Sequence, residues 1–108
     1  MEKETILCGA SSYEEKFYLN PDFSGLPESI KEELQILCVL FTADIGGILM
    51  LSFNDEGELE LQTSHEEDDL LYDEIGSVLK VKELQKTKRE LFESLEKYYE
   101  FFVQGGEK

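Results

Sequence analysis

The run Ile36 to Phe41 (Ile, Leu, Cys, Val, Leu, Phe) lies inside a segment of helical period and constrains the fold more than any other feature of the chain. Pro27 suits a first helical position, where a missing N–H removes nothing, and Glu28 complements the positive helix end. Gly46 and Gly47 supply a stop, because glycine takes positive φ without steric cost. The pattern therefore predicts a helix over 27–44. Ile30, Leu34, Leu37 and Phe41 recur on one side, yet Ile36, Cys38, Val39 and Leu40 fill the other. The second half of this helix is apolar all round and has to be enclosed.

Strand signals flank it. Residues 4–9 form a short apolar run closed by Gly9, Ser11 and Ser12, and residues 15–20 place Phe17 and Leu19 on one side with Lys16, Tyr18 and Asn20 on the other. These two make a hairpin, followed by a loop rich in Asn20, Pro21, Asp22, Ser24 and Gly25. After the helix, Ile48 to Phe53 and Glu58 to Thr63 bracket Asn54, Asp55, Glu56 and Gly57, which is a second hairpin signal. The first strand of that pair is apolar on both faces and the second on one, so the expectation is a central strand beside an edge strand whose acids oppose sheet-to-sheet association.

From about 66 to 103 the residues are almost all helix formers. Unbroken, such a helix would reach about 55 Å at 1.5 Å per residue, too long for a domain of this size. The apolar phase shifts between Leu71, Ile75, Val78, Leu79 and Leu84, Leu91, Leu95, Tyr98, Phe102. The Gly76–Ser77 pair is the expected kink. The fold class is thus α+β, in the order ββαββα, with a four-stranded antiparallel sheet carrying its helices on one face. A chain of 108 residues makes one domain, expected over 1–104, with 105–108 as a flexible tail.

Charge narrows the partners. Ten Lys+Arg against 25 Asp+Glu give 10 − 25 = −15, a field that repels nucleic acid and anionic membranes. Thirteen acids and no base lie between Lys31 and Lys80, whereas Lys80, Lys82, Lys86, Lys88 and Arg89 face only Glu83 in their own stretch. A dipolar molecule follows, with intramolecular or dimeric pairing of the basic stretch favoured over an anion site. Cys8 and Cys38 sit among apolar residues and read as buried, reduced core thiols. The start is too polar, and the apolar run after it too short, for a signal peptide, and no stretch is long enough to span a bilayer. The expected location is the cytoplasm.

Chemistry is sparse. No nucleophile, base and orienting group can be assembled, and there is no phosphate-loop pattern. His65 reads as a solvated loop residue, with a pH response or metal ligation as its other roles. If 66–74 is helical, Asp69 and Asp73 stand at i and i+4, and with Glu66 and Glu67 could offer oxygen ligands to a divalent cation. The simpler reading is an acidic first helical turn, so no cofactor and no metal are assigned. Tyr98, Tyr99, Phe101 and Phe102 cover an arc of about 200°, about twice what packs a helix on a core. One side of that arc packs inward and the other is a candidate protein contact.

Leu7, Cys8, Gly9, Ala10 and Tyr13, then Leu26, Pro27, Lys31 to Leu34, Cys38 to Thr42, Gly46, Gly47 and Asp73 to Gly76 give the chain a resemblance to a family of small acidic clostridial proteins known only as a domain of unknown function. The resemblance implies a bacterial, cytoplasmic protein with no assigned activity and carries over no functional residues. The element order is also loosely similar to the type III secretion chaperones and the roadblock/profilin-like modules, although the N-terminal helix of both is missing. Three readings remain open. The first is a non-enzymatic, dimeric protein-binding module of adaptor or chaperone type, with a basic partner the natural complement. The second is an acidic inhibitor or immunity-type protein that imitates nucleic acid. The third is a divalent-metal-dependent enzyme using Glu66, Glu67, Asp69 and Asp73.

Overall fold

The computed structural model describes residues 4–103, so the tail expected at 105–108 lies outside the described residues. Strands β1 (Thr5–Ser11) and β2 (Lys16–Leu19) form the first hairpin. After one 3₁₀ turn at Pro21–Phe23 comes α1 (Glu28–Ile45), then β3 (Ile48–Phe53) and β4 (Leu59–Ser64). The C-terminal part holds α2 (Glu74–Thr87), α3 (Arg89–Tyr98) and a wider π-helical turn over Tyr99–Val103. The sheet is antiparallel throughout in the order β2-β1-β3-β4, which makes β3 central and β4 an edge, as the hairpin patterns require.

Side-chain alternation fixes which face is which. Cys8, Ala10, Phe17, Leu19, Leu49, Leu51, Phe53, Leu59 and Leu61 lie on the helix side. Gly9, Ser11, Lys16, Tyr18, Ile48, Met50 and Gln62 occupy the other side in the same register. A bulge between Ile6 and Cys8 breaks the period-2 pattern, which lets the adjacent Leu7 and Cys8 both be fully buried. At Gly9 a Cβ would come within 2.9 Å of the Leu49 carbonyl oxygen, so this close strand approach requires glycine.

Helix α1 lies on β1 and β3 and buries Leu34, Leu37, Cys38, Phe41 and Ile45. Pro27 is its N-cap with extended backbone, one position earlier than the sequence suggests, and its carbonyl accepts from Ile30 and Lys31. The enclosure expected for the second half is only one-sided: Ile36, Val39 and Leu40 are 58%, 41% and 62% exposed.

The C-terminal helix departs most from expectation. Residues 65–73 are a loop rather than the opening of the helix, and α2 begins only at Glu74. Gly76 is not a kink. It lies in the first turn, where its N–H donates to the Asp73 carboxylate at 2.8 Å, and a Cβ there would strike that carboxylate. The glycine leaves room for the N-cap. The bend falls instead at Lys88, with φ −110° and ψ 24°, where Thr87 Oγ1 donates back to the Glu83 carbonyl at 3.0 Å. Hydroxyl back-bonding of this kind bends helices. The bend turns Leu91, Phe92 and Leu95 onto the core, and Glu96 ties α3 to the edge strand by accepting from the Leu59 N–H at 2.8 Å.

Candidate functional site

The cysteines form a buried pair, with Cys8 Sγ on β1 and Cys38 Sγ on α1 at 3.9 Å, both free. The hydrogen bond to Cys38 and burial push the Cys8 thiol far above its ordinary range, so it carries no thiolate for attack at neutral pH.

The acidic knot is organised by a tyrosine that belongs to no catalytic or ligand motif of the sequence. Tyr13, in the β1–β2 turn, donates its hydroxyl to Asp69 at 2.5 Å and accepts from the Glu66 N–H at 3.0 Å. These contacts span more than fifty residues, so no local pattern could signal them. The Tyr13 bond holds Asp69 below the usual carboxylate range, while desolvation and then Asp69 push the phenol upward. His65 stacks on Tyr72 with ring centroids 4.3 Å apart, and its Nε2 lies 3.3 Å from Glu74. Asp73 is committed to its cap. Because 65–73 is a loop, Asp69 and Asp73 do not share a helix face, and no group of three or more His, Cys, Asp or Glu suited to a metal occurs among the described residues.

The aromatic quartet divides. Tyr99 is buried, stacks on Phe53 at 4.2 Å and hydrogen-bonds Thr5 Oγ1 at 3.0 Å through its hydroxyl. Tyr98 is half-buried against Phe23. Phe101 and Phe102 are 63% and 72% exposed, so only these two present aromatic surface outward.

Two larger surfaces, neither anticipated as such, are also open. On the outer sheet face Tyr18 and Met50 flank Gly9, whose missing side chain leaves a groove of about 420 Å³ with Ile6, Ile48 and Lys16 on its walls. Its lining is mostly apolar, and β4 lays Gln62 and Glu60 along one side of the same face. The second surface is helical. Ile36, Val39, Leu40 and Ala43 stand at i, i+3, i+4 and i+7 on the side of α1 away from the sheet, and Ile75, Val78 and Leu79 repeat the spacing on α2. The basic stretch is partly neutralised: Lys88 pairs with Glu33 at 3.1 Å and Lys80 approaches Glu83 at 3.6 Å.

These features define a small acidic α+β domain with exposed apolar surface on both layers. The chain belongs to a family of unknown function, DUF6145, whose model matches residues 4–108. No curated protein and no solved structure matches the chain. No helix among the described residues is long and apolar enough to cross a membrane.

Proposed function

We propose that this protein is a non-enzymatic protein-binding module, of adaptor or chaperone type, that receives a segment of a partner protein on the outer face of its sheet. The observation that carries this reading is the groove over Gly9. A face with Tyr18 53% exposed and Ile6 37% exposed around an apolar recess is the kind of surface that a partner covers. The partner chemistry follows from the surroundings: an apolar side chain for the recess, with basic residues beside it to meet Glu60 and the overall charge of −15. Phe101 and Phe102 offer a further exposed apolar contact at the C-terminal end, whereas Tyr99 is used up by its stack on Phe53. The proposed setting is the bacterial cytoplasm, in keeping with two free thiols in the core.

A photo-crosslinking residue placed at Tyr18 should give one discrete protein adduct in cells, and Met50→Asp should abolish it. An adduct that survives Met50→Asp would sink the groove as the binding site. Repeated in lysate, adduct yield should fall only modestly as salt is raised, because the apolar contact is not screened and the flanking ion pairs are secondary to it. Steep loss with salt would instead favour the acidic inhibitor reading, in which carboxylates alone hold a basic cleft.

A further inference from the structure

The binding role makes no use of the two cysteines, although the fold brings them together. Cys8 lies on β1 directly after the bulge that lets Leu7 and Cys8 both point into the core, and Cys38 lies on the buried side of α1, which packs on β1. Thirty positions apart in the chain, their sulfurs are 3.9 Å apart, in contact and with no room for another atom between them. A disulfide holds its sulfurs about 2.05 Å apart, so joining the pair takes a movement of about 2 Å, within reach of a χ1 adjustment at one or both residues. The chain has no third cysteine to misdirect the pairing. The same burial shields the thiols. Neither residue is exposed, and β1 is paired along both edges, with β2 and with β3, so an oxidant reaches the sulfurs only when the core opens. The thiolate is the species that attacks a disulfide, and the hydrogen bond to Cys38 and burial leave Cys8 almost none while the domain is closed.

We propose that Cys8 and Cys38 are a conditional redox site: when the core opens, an oxidant of the small-disulfide class converts them to a disulfide that joins β1 to α1, and the domain refolds around it. In the open chain one cysteine loses its proton, and its thiolate attacks the small disulfide RSSR to give a mixed disulfide and RS⁻. The other cysteine, also as thiolate, attacks the protein sulfur of that mixed disulfide and releases the second RS⁻. Two electrons pass from the protein sulfurs to RSSR, and the two protons lost by the cysteines end on the two RSH formed. Refolding selects the product. A small adduct on either sulfur has no space in a close-packed core where both residues are fully buried, whereas the direct bond fits between atoms already in contact. The bond closes the chain over β2, the 3₁₀ turn and part of α1, which restricts the unfolded ensemble and stabilises the domain. The oxidised form is therefore a stapled version of the same fold, made only where oxidant and unfolding coincide.

The test uses the reduced full chain and oxidised glutathione as the probe, in native buffer and, separately, at the urea midpoint followed by return to native buffer. At the midpoint the expected product is a monomer lighter by two hydrogens in intact-mass measurement. Its melting temperature should lie about 10 °C above that of the reduced protein, and dithiothreitol should bring it back. In native buffer the same product should form at least about tenfold more slowly, because the closed domain has to open first. Four results would each overturn the proposal: no loss of the two hydrogens at the midpoint, a wild type that retains glutathione or links into dimers, an oxidised monomer that melts no higher than the reduced one, or oxidation as fast in native buffer as in urea.

Discussion

Helices α2 and α3 are consecutive and both rich in Leu, Glu and Lys, yet their apolar residues meet opposite fates. Helix α3 gathers Leu91, Phe92 and Leu95 on one face and buries all three, whereas α2 buries only Ser77 and Leu84 and leaves Ile75, Val78 and Leu79 in solvent. The difference is one of phase. Apolar residues confined to one stripe can be satisfied by a single core, while those spread over two stripes satisfy the core with one and leave the other for a second body. Helix α1 is of the second kind as well, with Ile36, Val39 and Leu40 left in solvent.

Substitutions should separate the two helices. Leu95→Ala, at a site 2% exposed, should cost about 3 kcal/mol in urea unfolding, because it empties a packed position. Leu79→Ala, at a site 63% exposed, should stay within about 0.5 kcal/mol. Equal costs would mean that α2 is covered within one chain. Asp73→Ala should cost about 1 kcal/mol by removing the cap on the Gly76 N–H, and hydrogen exchange should quicken in α2 but not in α3. Tyr99→Phe, which keeps the ring stack on Phe53 and loses the bond to Thr5, should also cost about 1 kcal/mol, here on the α3 side.

The smallest effect concerns the loop leading into α2. Asp69 has its folded pKa lowered from 3.8, so its bond to Tyr13 stabilises the fold above that value and is lost as pH falls through the lowered folded value. Tyr13 has its own raised from 10.0, so the stabilisation is complete below 10.0 and disappears as pH rises through the raised value. The stability difference between wild type and Tyr13→Phe should therefore be flat between these limits and shrink outside them, as read from melting temperature against pH. A difference that persists well into acid would mean that the hydroxyl acts through the Glu66 N–H alone.

Much of this was legible in the residues. The alternation of Phe17 and Leu19, the turn at Asn54 to Gly57, and the glycines after Ile45 determined both hairpins and the extent of α1, because each signal is complete within a few positions. The central place of β3 and the edge place of β4 followed from one strand being apolar on two faces and the other on one. At the candidate surfaces, the outward half of the aromatic arc was visible as excess, but its division between Tyr99 inward and Phe101 and Phe102 outward was not. The groove over Gly9 left no mark at all, since it depends on Tyr18 and Met50 lying across from a glycine on strands far apart in sequence.

Local residue pattern was enough to specify a four-stranded α+β domain and a helix with more apolar surface than a single face can hide. Long-range packing chose which stripe of α1 meets the sheet, made the acids of 66–69 part of a loop pinned by Tyr13, and put the bend of the C-terminal helix at Lys88 rather than Gly76. Period and propensity are properties of neighbours along the chain. The choice between two equally apolar stripes, or between an acidic helix end and an acidic loop, is made by residues fifty positions away that pack or hydrogen-bond with one alternative and not the other.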